Sequence, residues 1–175
     1  MVWMGELFDL ETRKRIYQVI EDNPGLNLST IAQLLGMNVP LVDYHTRYFE
    51  KHGLISVAKE DGFKRYYVKG AVGVVHRRLF GVLRQETPLR IVLFLLKNPG
   101  ARYPQICACF SFSKSTVSYH LQKLIRCGVV SVSVVGEGWA YSVLDEEVVV
   151  GFLMQYKQSG VLQRFKETWE EFGLP

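Results

Sequence analysis

The chain has 175 residues, of which 48% are hydrophobic and 22% charged, and its formal net charge is +4. This composition is typical of a globular protein and excludes a disordered one. The three cysteines are an odd number, and the longest strongly apolar run covers only residues 91–96. We therefore expect a cytoplasmic protein with no disulfide framework, no signal peptide at its acidic N-terminus and no membrane-spanning helix.

The first part of the chain predicts three helices and a hairpin. Segments with helical spacing of apolar residues lie at residues 13–22, 30–35 and 39–52. Each follows a side chain that can cap a helix, namely Thr12, Ser29 and Asn38. Residues 54–68 then have the composition of two strands joined by an Asp-Gly turn.

The same pattern returns after 75 residues without a gap. Residues 15–68 and 90–143 share 14 identities in 54 positions, whereas average composition would give about three or four. Asn-Pro-Gly and Tyr-His occur in both copies. The second copy therefore predicts helices and a hairpin at residues 89–97, 104–110, 113–127 and 129–144. This repeat indicates two copies of one domain.

Apolar residues at helical spacing also follow each copy. Those between the copies predict a connecting helix: Val72, Val75, Leu79, Val82 and Leu83. Those at the C-terminus form two stripes: Val149, Phe152, Leu153, Tyr156, then Leu162, Phe165, Trp169 and Phe172. Since each domain already has its own core, we expect the C-terminal stripes, with Trp3, Leu7 and Phe8, to form a homodimer interface. The alternative is packing on the connecting helix.

These features divide the chain into five parts. They are an N-terminal segment, a first domain, a connecting helix, a second domain and C-terminal helices, at residues 1–11, 12–69, 70–86, 87–144 and 145–175. Counting Lys, Arg, Asp and Glu gives −3 for residues 1–11, +3 for 12–70, +7 for 71–143 and −3 for 144–175. Positive charge on the repeats is the pattern expected if they contact a polyanion.

The repeated order of helix, short helix, longer helix and hairpin is that of a winged helix-turn-helix. Residues 113–130, SKSTVSYHLQKLIRCGVV, resemble the recognition helix and first wing strand of ArsR-type regulators. The doubled arrangement is similar to archaeal tandem winged-helix transcriptional regulators. The resemblance covers about residues 12–144. It implies a mainly α fold with small β-hairpin wings, and transcription control by binding double-stranded DNA, usually as a dimer.

The predicted DNA-binding face lies on the third helix of the second copy. Its residues are Lys114, Ser115, Thr116, Ser118, Tyr119, Gln122, Lys123 and Arg126. The resemblance places base contacts on Lys114, Ser115, Ser118, Tyr119 and Gln122. No acid occurs from residue 103 to 135, whereas the first copy has Asp43 on the corresponding face. We therefore expect the first copy to contact the DNA backbone, or to act as a scaffold. Its candidate contacts are Arg47, Lys59, Lys64 and Arg65.

The sequence predicts no catalytic residues, no cofactor and no metal site, so we do not expect an enzyme. Cys107 and Cys109 are expected to face inward as buried apolar residues. His45 and His120 are expected to be structural. Two other functions stay open: a winged-helix protein–protein adaptor in a transcription or replication assembly that does not read sequence, and a regulator controlled by a ligand in a pocket beside the dimer helices.

Overall fold

The computed structural model of the chain describes residues 4–156, 162 and 165–173, and the side chains of these except 4–9 and 169. Its helices are α1 (Met4–Asp22), α2 (Leu28–Leu35), α3 (Val39–Lys51), α4 (Val74–Leu83), α5 (Glu86–Lys97), α6 (Tyr103–Cys109), α7 (Lys114–Arg126), α8 (Glu146–Tyr156) and α9 (Lys166–Glu171). Its strands are β1 (Ile55–Glu60), β2 (Phe63–Val68), β3 (Ala101–Arg102), β4 (Val130–Val135) and β5 (Gly138–Val143).

The chain divides into two compact units, and the boundary falls between Arg77 and Arg78 within α4. The first unit contains α1, α2 and α3 and the antiparallel hairpin of β1 and β2. The second contains α5, α6 and α7, a three-stranded sheet in the order β3-β5-β4, and α8 and α9. The order of helices and hairpin predicted for both copies is confirmed.

The first unit is built around the apolar stripes of its three helices. Its fully buried residues include Ile16, Ile20, Ile31 and Val42. The N-cap of α3 is Asn38 as predicted, but α2 begins two residues earlier than predicted. Asn27, not Ser29, caps α2, because its Oδ1 accepts a hydrogen bond from the Thr30 N–H at 2.9 Å. The first helix also begins at Met4, so Thr12 lies within it rather than at its start.

The 75-residue offset is preserved in the backbone hydrogen bonds. Gly25 N–H donates to the Tyr66 carbonyl at 2.9 Å, and Gly100 N–H donates to the Tyr141 carbonyl at 3.0 Å. Both glycines have a positive φ, close to +80°, a conformation that favours glycine. In the second unit this contact extends into the short strand β3, which the sequence did not predict. The two copies therefore share one backbone design.

The C-terminal stripes are buried inside the second unit. Val149, Phe152 and Leu153 are buried, and the Phe152 ring packs edge-on against Phe80 of α4 at 4.8 Å between centroids. Leu162 and Phe172 are buried as well. For these residues, buried within one chain, the predicted dimer interface is wrong. The alternative, packing on the connecting helix, holds for Phe152, whereas the Phe172 ring lies beside Lys97 of α5. A domain of this size has a thin core that added helices can complete.

Polar contacts also tie the C-terminus to the second unit. Arg90 of α5 forms an ion pair with Glu171 of α9 at 2.8 Å. At the start of α8, the Val148 N–H donates to Asp145 Oδ1 at 3.3 Å, so the predicted cap at Asp145 is confirmed. Of the remaining predicted dimer residues, Tyr156 and Phe165 are half-buried. The others lie outside the description: Trp3, and the side chains of Leu7, Phe8 and Trp169. Within the described chain, every helix is too short or too polar to cross a lipid bilayer.

Candidate nucleic-acid interface

The start of α7 is fixed by a group of hydroxyl hydrogen bonds. Ser113 is the N-cap, and its Oγ accepts from the Thr116 N–H at 3.1 Å and lies 2.7 Å from Thr116 Oγ1. The Tyr103 hydroxyl of α6 donates to the Lys114 carbonyl at 2.7 Å. Thr116, predicted to contact DNA, is thus engaged in the cap. Tyr103 is a positioning residue that the sequence did not reveal, because its role depends on a contact between two helices.

The predicted face of α7 is directed outward. Its exposed members are Lys114, Ser115, Tyr119, Gln122 and Arg126, whereas Thr116, Ser118 and Lys123 are half-buried. The opposite side of α7 is buried through Val117, Leu121 and Leu124. The helix therefore presents hydroxyl, phenol, amide and cationic groups with no carboxylate among them, which is suited to contact with base edges and phosphates.

Both copies hold an exposed tyrosine in the same way. The Tyr119 ring packs edge-on against His120 with centroids 5.0 Å apart, and Tyr44 packs against His45 at the same distance. Tyr119 is 57% exposed and Tyr44 60%. The histidines lie towards the core, as expected for structural residues, and each supports its neighbouring tyrosine on the outer face.

Burial lowers the pKa of His120 from its ordinary value of 6.5, and the charge of Lys123 lowers it further. The folded domain therefore favours the neutral imidazole.

This shift predicts that acid destabilises the second unit. Because the unfolded chain takes up a proton at His120 more readily than the folded chain, the stability that neutral His120 provides is present above pH 6.5 and is lost as the pH falls below it. Urea unfolding between pH 7.5 and 5.5 should show a shallower loss of stability in His120→Gln than in the wild type. His52→Gln, at an exposed histidine, is the control. If the free energy of unfolding fell equally steeply with pH in His120→Gln and the wild type, His120 would not be the cause of the destabilisation by acid.

On the corresponding face of α3 in the first unit, a positive side chain is paired with a negative one. Arg47 forms an ion pair with Asp43 one turn away, at 2.7 Å. Thr46, which stands where the second copy has a core leucine, is buried and donates to the Asp43 carbonyl at 3.0 Å. The face therefore offers a paired cation rather than the acid-free surface of α7.

The hairpin of the first unit presents cations at its end. Lys59 and Lys64 are exposed and lie directly opposite each other on β1 and β2, while Arg65 is half-buried with its guanidinium 5.2 Å from the Phe63 ring centre. Like charges in directly opposite positions destabilise a hairpin. An anion bound between them would relieve that repulsion.

The hairpin of the second unit differs at the same positions. Val134 and Trp139 form the opposite pair that corresponds to Lys59 and Lys64. Residues 129–144 contain no lysine or arginine, and Glu137 is their only acid. The charged hairpin and the candidate recognition helix thus belong to different copies.

Each of the two units matches a model of a known protein family. Residues 85–132 match the family model described as bacterial regulatory protein, arsR family. Residues 9–56 match the model described as winged helix-turn-helix DNA-binding. The chain therefore carries two tandem winged helix-turn-helix domains, and the second is similar to the arsR family. We accordingly call β1 and β2 the first wing, and β4 and β5 the second wing.

Individual relatives of this tandem winged-helix protein include an uncharacterized HTH-type transcriptional regulator of Methanocaldococcus jannaschii, 33% identical over 120 residues. The match covers 69% of the chain but only 30% of that relative. Among solved structures, the transcriptional regulator HlyU of Vibrio vulnificus is 26% identical, with a TM-score of 0.41, over 46% of this chain and 83% of its own. The cadmium metal-sensor CMTR of Mycobacterium tuberculosis is 29% identical, with a TM-score of 0.40, over 47% and 83%.

The cysteines of the ArsR-like domain are not both internal. Cys107 is half-buried but Cys109 is exposed, so the expectation that both face inward is wrong for Cys109. The corresponding residue of the first copy, Leu34, is exposed too, which places this position on the outer side of the short helix in both copies. All three cysteines are free thiols. In the part of the chain that the structure describes, no three histidine, cysteine or acidic side chains lie close enough together to hold a metal ion.

Proposed function

We propose that the chain is a cytoplasmic transcriptional regulator that binds double-stranded DNA through α7. The observation that carries this proposal is the outward, acid-free face of α7, with Ser115, Tyr119 and Gln122 exposed along it. A helix of this kind fits the major groove, where hydroxyl and amide groups can distinguish base pairs by their hydrogen-bonding patterns.

Cationic side chains hold the phosphate backbone in this proposal. Lys114 and Arg126 are exposed at the two ends of α7, and the half-buried Lys123 extends from its side. In the first unit, Lys59 and Lys64 of the first wing contact phosphates, with Arg65 beside them. Arg47 contributes less because its charge is paired with Asp43. The second copy thus reads sequence and the first provides backbone contacts.

A protein–protein adaptor is the second candidate, and the second wing favours it. Val134 is 65% exposed and Trp139 59%, in a hairpin without cations. Exposed apolar residues that adjoin one another mark a protein interface more often than a DNA contact. This candidate requires the face of α7 to have no sequence preference.

Selection of bound DNA from a random duplex pool distinguishes the two functions. With the full chain, we expect enrichment of a defined motif, and the same selection with Gln122→Ala should relax the motif at one or two base pairs. An adaptor would retain DNA by charge alone and enrich no motif. Enrichment that is unaffected by any substitution on α7 would contradict its assignment as the recognition helix.

A further inference from the structure

The first unit has an open groove between α1 and the end of α3. Its volume is about 500 Å³. The residues that line it are Leu10, Arg13, Lys14, Tyr17, Tyr48, Phe49 and Leu54. Leu10 is 65% exposed and Leu54 44%, whereas Phe49 is buried. Large apolar side chains that adjoin one another at a surface are typical of a binding site.

Aromatic contacts hold the walls of this groove in place. The Tyr17 ring packs edge-on against Phe49 with centroids 5.8 Å apart, and the Arg13 guanidinium lies 3.9 Å from the Tyr48 ring centre. Side chains held by such contacts lose little freedom when a partner binds, so the groove is preorganised. Arg13 and Lys14 give the lining two positive charges, and no acid is among the lining residues.

The same region of the second copy is covered. Four residues of the groove have counterparts, at the offset of 75 residues, that are fully buried. The pairs are Lys14 and Leu89, Tyr17 and Val92, Phe49 and Leu124, and Leu54 and Val129. Arg78 of α4 lies beside Gly128, the residue before Val129, since its Nη1 is 3.5 Å from the position that a Gly128 Cβ would occupy. A helix, α4, therefore lies against the part of the second copy that corresponds to the groove.

The two copies differ because one helix is broken and the other is not. Gln85 has an extended backbone, with a ψ of 138°, and separates α4 from α5. The corresponding residue of the first copy, Leu10, lies inside the single helix α1. Residues 4–8, which correspond to the second half of α4, therefore prolong α1. Among the described residues of the first unit, no separate helix takes the place of α4.

We propose that the groove binds an amphipathic helix of another protein. Apolar side chains at positions i, i+3, i+4 and i+7 of that helix fill the groove between Leu10 and Leu54. Carboxylates beside them pair with Lys14, which is exposed at the edge of the groove. The site adds a protein partner to the proposed contacts with DNA.

Charge complementarity favours another protein over a second copy of this chain. In the second copy, Pro88 and Leu89 stand in place of Arg13 and Lys14, so α4 needs no acid there and carries none. Since α4 has two arginines, the groove of the first unit would repel it. The acidic helices α8 and α9 already pack within the second unit. A helix with an open apolar face and acidic flanks therefore comes from a different protein.

Selection from a displayed library of helical peptides tests this proposal. Each peptide has about 18 residues, or five helical turns, with leucine at the four apolar positions and Glu, Gln or Lys at random beside them. On the full chain without DNA, we expect enrichment of glutamate, and Lys14→Glu should enrich lysine instead. Arg15→Glu is the matched control. It makes the same charge change on the side of α1 that contacts the Leu35 carbonyl, and it should keep the preference for glutamate.

Fluorescence anisotropy with one selected glutamate peptide locates the site. Leu10→Ser and Leu54→Ser should each raise the dissociation constant about tenfold or more, because they remove apolar contacts in the groove. Leu34→Ser, at an exposed leucine of α2, should change it less than about twofold. Circular dichroism confirms that each variant is folded.

Several results would overturn the proposal. A library without enrichment, the same preference in wild type and Lys14→Glu, or unchanged affinity in Leu10→Ser and Leu54→Ser would each exclude an acidic helix in this groove. Displacement of the peptide by dodecanoate more readily than by the unlabelled peptide would assign the groove to a small anionic ligand. A wild-type dimer that Leu10→Ser dissociates would assign it to a second copy. All measurements are made without DNA, so they do not depend on the proposed function.

Discussion

Replacing Phe152 with alanine should lower the free energy of unfolding of the second unit by about 3–5 kcal/mol. Phe152 has no exposed surface, and its ring contacts Phe80 at 4.8 Å and Tyr156 at 5.1 Å between centroids. Truncation would leave a cavity between α8 and α4 that the surrounding rings cannot close. Urea unfolding followed by circular dichroism measures the loss.

Met154→Ala is the control for this prediction. Met154 lies on the same helix but is 61% exposed, so its truncation should change the free energy of unfolding by no more than about 0.5 kcal/mol. If Phe152→Ala instead kept wild-type stability and only impaired association, the stripe would be a dimer interface, contrary to the packing described above.

Replacing Tyr119 or Gln122 with alanine should weaken binding to a selected DNA site by about 1–3 kcal/mol each, or roughly 5- to 150-fold. Both side chains are exposed on α7, so their removal takes away contacts with base edges without opening the core. Fluorescence anisotropy at one fixed salt concentration, on the selected site and on an unrelated duplex, measures the loss of both affinity and preference.

The duplicated architecture supplies a close control. Tyr44 matches Tyr119 in exposure, in its position on the helix and in its packing against the next histidine. Under the proposed division of roles, Tyr44→Ala should change affinity for the selected site less than twofold. An equal loss from Tyr44→Ala would show that both copies read sequence. If neither Tyr119→Ala nor Gln122→Ala lowered the affinity for the selected site, the assignment of α7 as the recognition helix would have no basis.

Local signals predicted most of the architecture. Asn38 caps α3 as expected, Ser113 holds the corresponding position before α7, and the hairpins follow from their turn residues and alternating strands. The N-cap of α2 was missed because Ser29 and Asn27 lie two residues apart and are both good caps. Only the hydrogen bond from the Thr30 N–H decides between them. Strand β3, with two residues, is too short to leave a pattern.

Periodicity predicts which face of a helix is apolar but not what covers it. The stripe through Phe152 was therefore recognised correctly and given the wrong partner, since Phe80 lies 72 residues earlier in the sequence. The same limit applies to α7. Its outward face follows from helical spacing, whereas the capping role of Thr116 and the support from Tyr103 depend on side-chain contacts that spacing does not specify.

The two copies share one backbone but carry different surface residues, and this difference has a consequence for the DNA that one chain would contact. The second domain has the acid-free helix α7 and a wing with Val134 opposite Trp139. The first domain has Lys59 opposite Lys64 on its wing and the Arg47–Asp43 ion pair on α3. Under the proposed function, one chain therefore covers a stretch of DNA in which the second domain reads the sequence and the first domain holds only the backbone.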